Sequence, residues 1–157
     1  MQTSIEYVIL VPLLILQIFL FPMVVSNMME HWADSRKSMV LQETAGHIGS
    51  AIQQIYYSLN HSSILSGTLT NELGIQPLIE NSPYIGNATL SRLAASSTTI
   101  LDITLRLNSS SISVTSSVIL GGNVEWGNSN LDSTAAVITA EKYWNGSDYI
   151  IELDFGE

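Results

Sequence analysis

Four sets of residues invite a chemical reading. Glu6 is a lone carboxylate at the head of an apolar run, Tyr7 to Met29, that carries no other charge. At a helix N-terminus such an acid is favoured by the macrodipole and can accept from free N–H groups. Buried among apolar helices it would need a cationic partner, because an isolated buried charge is expensive. Glu30, His31 and Asp34 fall within one helical turn, close enough to touch one cation. No second His follows at i+4 and no His-Glu-x-x-His occurs, so they read as polar helix surface rather than metal ligands. Asn60-His61-Ser62, Asn87-Ala88-Thr89, Asn108-Ser109-Ser110 and Asn145-Gly146-Ser147 match the acceptor pattern for Asn-linked glycans. All four fall where turns or element ends are expected. Asp148, Glu152 and Asp154 alternate along the last segment and read as the solvated face of a strand. There is no Gly-x-Ser-x-Gly elbow and no phosphate-cradling loop. No catalytic constellation can be assembled, so the chain reads as a non-enzyme with no cofactor and no metal.

Two kinds of element would position these residues. The run from Tyr7 to Met29 is long enough to span a bilayer, which takes about 20 helical residues. Beyond it, Leu41, Ala45, Ile48, Ile52, Ile55 and Leu59 recur in alternating steps of four and three, one face of a helix. Arg36, Lys37, Gln42, Glu43 and Gln53 fall off that stripe. The pattern predicts one helix from about Ser4 to about Leu59, roughly 84 Å long at 1.5 Å per residue. Its first half is apolar all round and must be covered on every side; its second half packs along one face. Pro12 and Pro22 would break a soluble helix but are tolerated where neighbouring helices satisfy the freed carbonyls. A kink or local melting is expected near Pro22, and a stop at Asn60.

After Asn60, period-two alternation replaces the helical period. Leu101, Ile103, Leu105 and Leu107 form one alternating set; Ile112, Val114, Val118 and Leu120 a second; Tyr149, Ile151, Leu153 and Phe155 a third. Asn145-Gly146 signals a tight hairpin with positive φ at both central positions. Gly121-Gly122-Asn123 and Gly127-Asn128 mark further turns. The stretch from Ile64 to Ser91 reads as short strands joined by loops. The fold class is α+β: a long N-terminal helix over 1–60, then an antiparallel, immunoglobulin-like β-sandwich of about seven strands over 61–157.

Composition narrows the partners. A net charge of −9, with only Arg36, Lys37, Arg92, Arg106 and Lys142 as basic residues, excludes nucleic acid and anionic lipid headgroups. The absence of cysteine excludes disulfides and thiolate metal sites. Only 12% of residues are charged, about half the usual quarter, and Ser, Thr and Asn supply the polarity instead. Such a surface suits packing against copies of itself. No basic residue precedes the apolar run, whereas Arg36 and Lys37 follow it. A simple anchor with that bias would put the Ser/Thr-rich domain in the cytoplasm. The alternative is a basic leader that has been removed, leaving Gln2 or Met1 as the new terminus.

The N-terminal segment QTSIEYV resembles the start of a mature archaeal type IV pilin. Gln2, Ser4 and Glu6 match its Gln-x-Ser-x-Glu pattern, Glu6 is fifth counting from Gln2, and Pro22 falls where family helices often kink. Met1, standing before Gln2, departs from the family pattern. The likeness covers about 30 residues by motif and the rest by architecture only. It implies a subunit held in the cytoplasmic membrane before assembly and an extracellular helical homopolymer for adhesion or surface attachment afterwards. It also implies a leader peptidase, an assembly ATPase and a membrane platform protein as partners. Gln2, Ser4, Glu6, Pro12 and Pro22 are then assembly residues, with Glu6 paired to the α-amino group of a neighbouring copy. Asn60, Asn87, Asn108 and Asn145 are the glycan candidates of a cell-surface protein. Two other readings share the plan: an archaellin of a motility filament, and a single-span membrane protein with a binding β-sandwich that never polymerises.

Overall fold

The computed structural model describes residues 2–92, 97–134 and 136–156, with side chains described from Leu10 onward. A single helix, α1, spans Gln2–Leu59. Gln2, Ser4 and Glu6 lie in its first turns, and their side chains are outside the described residues. Helical geometry continues through Pro12 and Pro22, so the local melting anticipated at Pro22 does not occur. Each proline still withholds an N–H from the carbonyl four residues earlier, those of Val8 and Ile18. Asn60 ends the helix as the sequence predicts, its N–H donating to the Tyr56 carbonyl at 2.8 Å.

The chain divides into two compact units between Arg36 and Lys37, inside α1 rather than at its end. In the second unit, Lys37–Glu157, the stripe from Leu41 to Leu59 is buried together with the inward faces of the strands. Nine strands follow α1 among the described residues: β1 (Gly67–Glu72), β2 (Leu78–Ile79), β3 (Ser82–Arg92), β4 (Thr98–Leu107), β5 (Ser113–Gly121), β6 (Val124–Trp126), β7 (Asn130–Asp132), β8 (Val137–Trp144) and β9 (Tyr149–Gly156). One sheet has the order β1-β8-β9-β6 and the other β2-β3-β4-β5, with β7 also on β3. Every pairing is antiparallel except β6 with β9. The expectation of a wholly antiparallel domain is corrected at that pair, where β6 runs beside β9 from Val124↔Ile151 to Trp126↔Leu153.

Burial follows the alternation. Leu101, Ile103, Leu105 and Leu107 of β4 are buried, as are Ile151, Leu153 and Phe155 of β9. At Gly49 the helix closely approaches β5: an added Cβ would stand 2.5 Å from Val118 Cγ2. Only glycine admits that approach without repacking. Gln53 Nε2 donates to the Ile119 carbonyl at 3.3 Å, and His47 Nε2 lies 3.2 Å from the Leu73 carbonyl.

Two local expectations differ from the structure. The stretch from Ile64 to Ser91 holds the short strands β1 and β2 as expected, but also all except the last residue of β3, a strand eleven residues long. Its inward residues are Tyr84, Gly86 and Ala88, and the two small ones hide the hydrophobic alternation. Asn145-Gly146 does lie in the β8–β9 hairpin, as expected, but in a four-residue loop between paired Trp144 and Tyr149. Of the two, only Gly146 has positive φ, at 100°. Asn145 Oδ1 instead accepts from the N–H groups of Ser147 and Asp148, both at 2.9 Å.

Candidate interaction surface

Within the unit Met1–Arg36, most of the described apolar side chains, from Leu10 to Trp32, are exposed. Leu13, Leu14, Ile15 and Leu16 are each about half exposed, and Phe19, Phe21 and Trp32 more than 70% exposed. Successive helical residues point about 100° apart, so four in a row girdle the axis. The apolar surface is therefore a collar, not a stripe. By length and composition this helix could cross a membrane. Its polar interruptions between Leu10 and Met29 are Gln17, Ser26 and Asn27, all exposed. Leu14, Gln17, Ile18, Phe21 and Pro22 line a shallow notch of about 490 Å3 on its side. Charge resumes at Glu30, and among the described residues no group of His, Asp and Glu could hold a metal ion.

In the second unit, polar order concentrates at the end of α1. Lys142 of β8 is only 4% exposed. Its Nζ donates to the carbonyls of Leu59 at 2.9 Å and His61 at 3.2 Å, and lies 5.3 Å from the centre of the Tyr149 ring. The last carbonyls of a helix lack intrahelical donors and carry the negative end of its dipole. A buried ammonium answers both. Beside it, three side chains close a ring of hydrogen bonds. Tyr56 Oη donates to Asn123 Oδ1 at 2.9 Å, Asn123 Nδ2 to Asn60 Oδ1 at 3.0 Å, and Asn60 Nδ2 to Tyr56 Oη at 3.1 Å. Burial pushes the Tyr56 phenol up, partly opposed by its bond at the Gly121 backbone. Tyr84, buried in β3 with its hydroxyl on the Gln76 carbonyl at 2.8 Å, is pushed by burial to about 12. At the surface, the N–H and hydroxyl of Thr134 hold the Asp132 carboxyl below its ordinary value.

The four sequon asparagines are all exposed but not equivalent. Asn60 has its amide locked in the ring just described. Asn87 stands in the middle of β3, paired with Thr104 and Asn130, rather than at a turn. Its Nδ2 donates to Ser129 Oγ and Asn130 Oδ1. Asn108 directly follows β4, and Asn145 opens the β8–β9 loop with its side-chain Oδ1 accepting from Ser147 and Asp148. Sequence reasoning missed Lys142, Tyr56 and Asn123. A signal for Lys142 existed: it occupies the buried parity of Ile138 and Ala140. No protein-family model, curated protein or solved structure matches this chain.

Proposed function

We propose that this chain is a pilin: the structural subunit of an extracellular archaeal type IV pilus that polymerises through its N-terminal helix and serves adhesion or surface attachment. In this reading the two sheets form an immunoglobulin-like sandwich on the outside of the filament, and the helix collar lies in its core. The observation that carries the proposal is the collar itself. Fully burying one Val, Leu, Ile, Phe or Met side chain is worth about 1.5–3 kcal/mol. More than a dozen such side chains from Leu10 to Trp32 stand exposed, so the collar requires an apolar surrounding. A bilayer supplies one before assembly and a bundle of identical helices supplies another afterwards. Lipid tails are as apolar as leucine, so transfer between the two is nearly balanced and can be driven by an assembly ATPase acting with a membrane platform protein. Glu6 then enters the core and is neutralised by the α-amino group of a neighbouring copy.

The test is electron microscopy of material sheared from the cell surface, with labelling against the β domain. Labelled filaments are expected. Filaments whose loss abolishes swimming would make the chain an archaellin. A labelled chain that stays in the membrane fraction, with no filaments, would leave a single-span protein with a binding domain and sink the polymer reading.

A further inference from the structure

The apolar helix carries two polar amides and two proline-freed carbonyls with matched spacing. Gln17 and Asn27 are ten residues apart, and so are Pro12 and Pro22. Because each proline lacks an N–H, the carbonyls of Val8 and Ile18 lose their helical donors, and these too are ten residues apart. Gln17 stands nine residues beyond Val8, and Asn27 stands nine residues beyond Ile18. A single axial displacement between two parallel copies, about 13.5 Å at 1.5 Å per residue, brings both amides level with both carbonyls.

The faces agree as well as the heights. At about 100° per residue, Gln17 and Asn27 lie about 80° apart around the helix, and Val8 and Ile18 lie about 80° apart. The midpoint of the first pair is about 180° from the midpoint of the second. Donors and acceptors therefore occupy opposite faces. Such a contact cannot close on itself as a two-fold dimer. It is heterologous, and repeated contacts of that kind build an open helical array. Leu13, Leu20 and Val24 accompany the donors; Val11, Ile15 and Pro22 accompany the acceptors. Val11 and Leu20 are both about half exposed.

We infer that neighbouring copies pack in parallel with an axial offset of nine residues, the Gln17 and Asn27 amides of one copy donating to the Val8 and Ile18 carbonyls of the next. This inference rests on the polymer reading and adds a register to it. The collar alone specifies no register, since apolar surface is non-directional. An amide in an apolar core has strong reason to find an acceptor, and a freed carbonyl to find a donor. One offset satisfies four groups per contact, and a slip by one turn satisfies none.

Disulfide trapping reads the offset directly, and the chain has no cysteine of its own to confuse it. Val11→Cys/Leu20→Cys places thiols nine residues apart on opposite faces. Within one helix they are separated by about 13.5 Å, beyond the roughly 7 Å Cα limit for a disulfide, so any bridge joins two copies. Mild oxidation of assembled filaments is expected to give a ladder of covalent multimers. Leu13→Cys/Leu20→Cys, with both thiols on the donor face, is expected to give none. Filaments in which neither variant ladders, or both ladder equally, overturn the register. Should the cysteine variants fail to assemble, the axial offset between contacting helices in reconstructed wild-type filaments decides. A value near 13.5 Å supports the register, and one differing by a helical turn, about 5.4 Å, refutes it. Absence of filaments from wild-type cells removes the polymer reading itself, whereas filaments with another offset remove only the register.

Discussion

Lys142→Met isolates what holds the end of α1 to the β domain. Methionine keeps most of the apolar stem and removes only the ammonium. Two bonds are lost, to the carbonyls of Leu59 and His61, together with the contact over Tyr149. Hydrogen bonds to a charged group contribute about 1.5–3 kcal/mol each. A cation at a partly buried helix C-terminus adds up to about 2 kcal/mol. Against these stands the desolvation of the ammonium, several kcal/mol, which methionine does not incur. The variant still leaves the Leu59 carbonyl without that donor, while the His61 carbonyl keeps the Ile64 N–H at 3.1 Å, so we expect a net loss of about 2–4 kcal/mol. The assay is urea unfolding of the full chain in detergent, followed by tryptophan emission, since Trp126 and Trp144 both lie in the second unit. With a slope of about 1–3 kcal/mol per M, the midpoint should fall by roughly 1–2 M. A midpoint unchanged or raised, at equal slope, would show that desolvation cancels the bonds and that Lys142 does not stabilise the junction.

Four further outcomes are expected. Gly49→Val drives a branched side chain against Val118 and should destabilise the domain by about 1–3 kcal/mol, measured by the same unfolding curves. Tyr84 should make the domain sensitive to alkali: its stabilisation is complete below pH 10, the unfolded phenol value, and is lost as pH rises from about 10 to about 12. Tyr84→Phe should flatten that part of the pH profile; an unaltered alkaline limb would acquit Tyr84. Glycopeptide mapping of protein from its native cells should find glycans at Asn108 and Asn145 and a bare Asn60, whose amide is held by Tyr56 and Asn123; an occupied Asn60 contradicts this. Glu6→Ala should lower filament yield with unchanged membrane insertion, and normal assembly of that variant would remove the proposed pairing.

How much could be read in advance depended on how each element earns its burial. The stripe from Leu41 to Leu59 was legible because α1 packs along one face there, and every position on it is at least 95% buried. Strands β4 and β9 were legible for the same reason, with large apolar residues on the inward parity. Strand β3 was not, because it meets Leu105 and Leu131 closely enough that Gly86 must lie between them, so its inward face lacks bulk. The parallel placement of β6 depends on three residues and on contacts remote in sequence, such as Ile151 N–H to the Asn123 carbonyl. The polar cluster of Tyr56, Asn60, Asn123 and Lys142 was illegible because its members lie up to 86 positions apart, from Tyr56 to Lys142. Charge alone could have flagged only Lys142, a cation where the alternation demands an apolar residue.

The division at Arg36 and Lys37 gives the helix two different obligations. From Lys37 onward it serves the β domain, and its polar face tolerates water because only one stripe is buried. Before Arg36 it has no such face. Glu30, Asp34, Arg36 and Lys37, clustered at the boundary, mark where an apolar surrounding must end, since a charge drawn into it would cost several kcal/mol. A domain of this size is stable by only about 5–15 kcal/mol. Leaving the collar in water would expose apolar area worth more than that margin. The apolar residues from Leu10 to Met29 therefore contribute to a surrounding outside the chain rather than to the core of the β domain. On the polymer reading proposed above, the polar atoms there, at Gln17, Asn27 and the two proline-freed carbonyls, are the ones whose spacing would carry information about a neighbour.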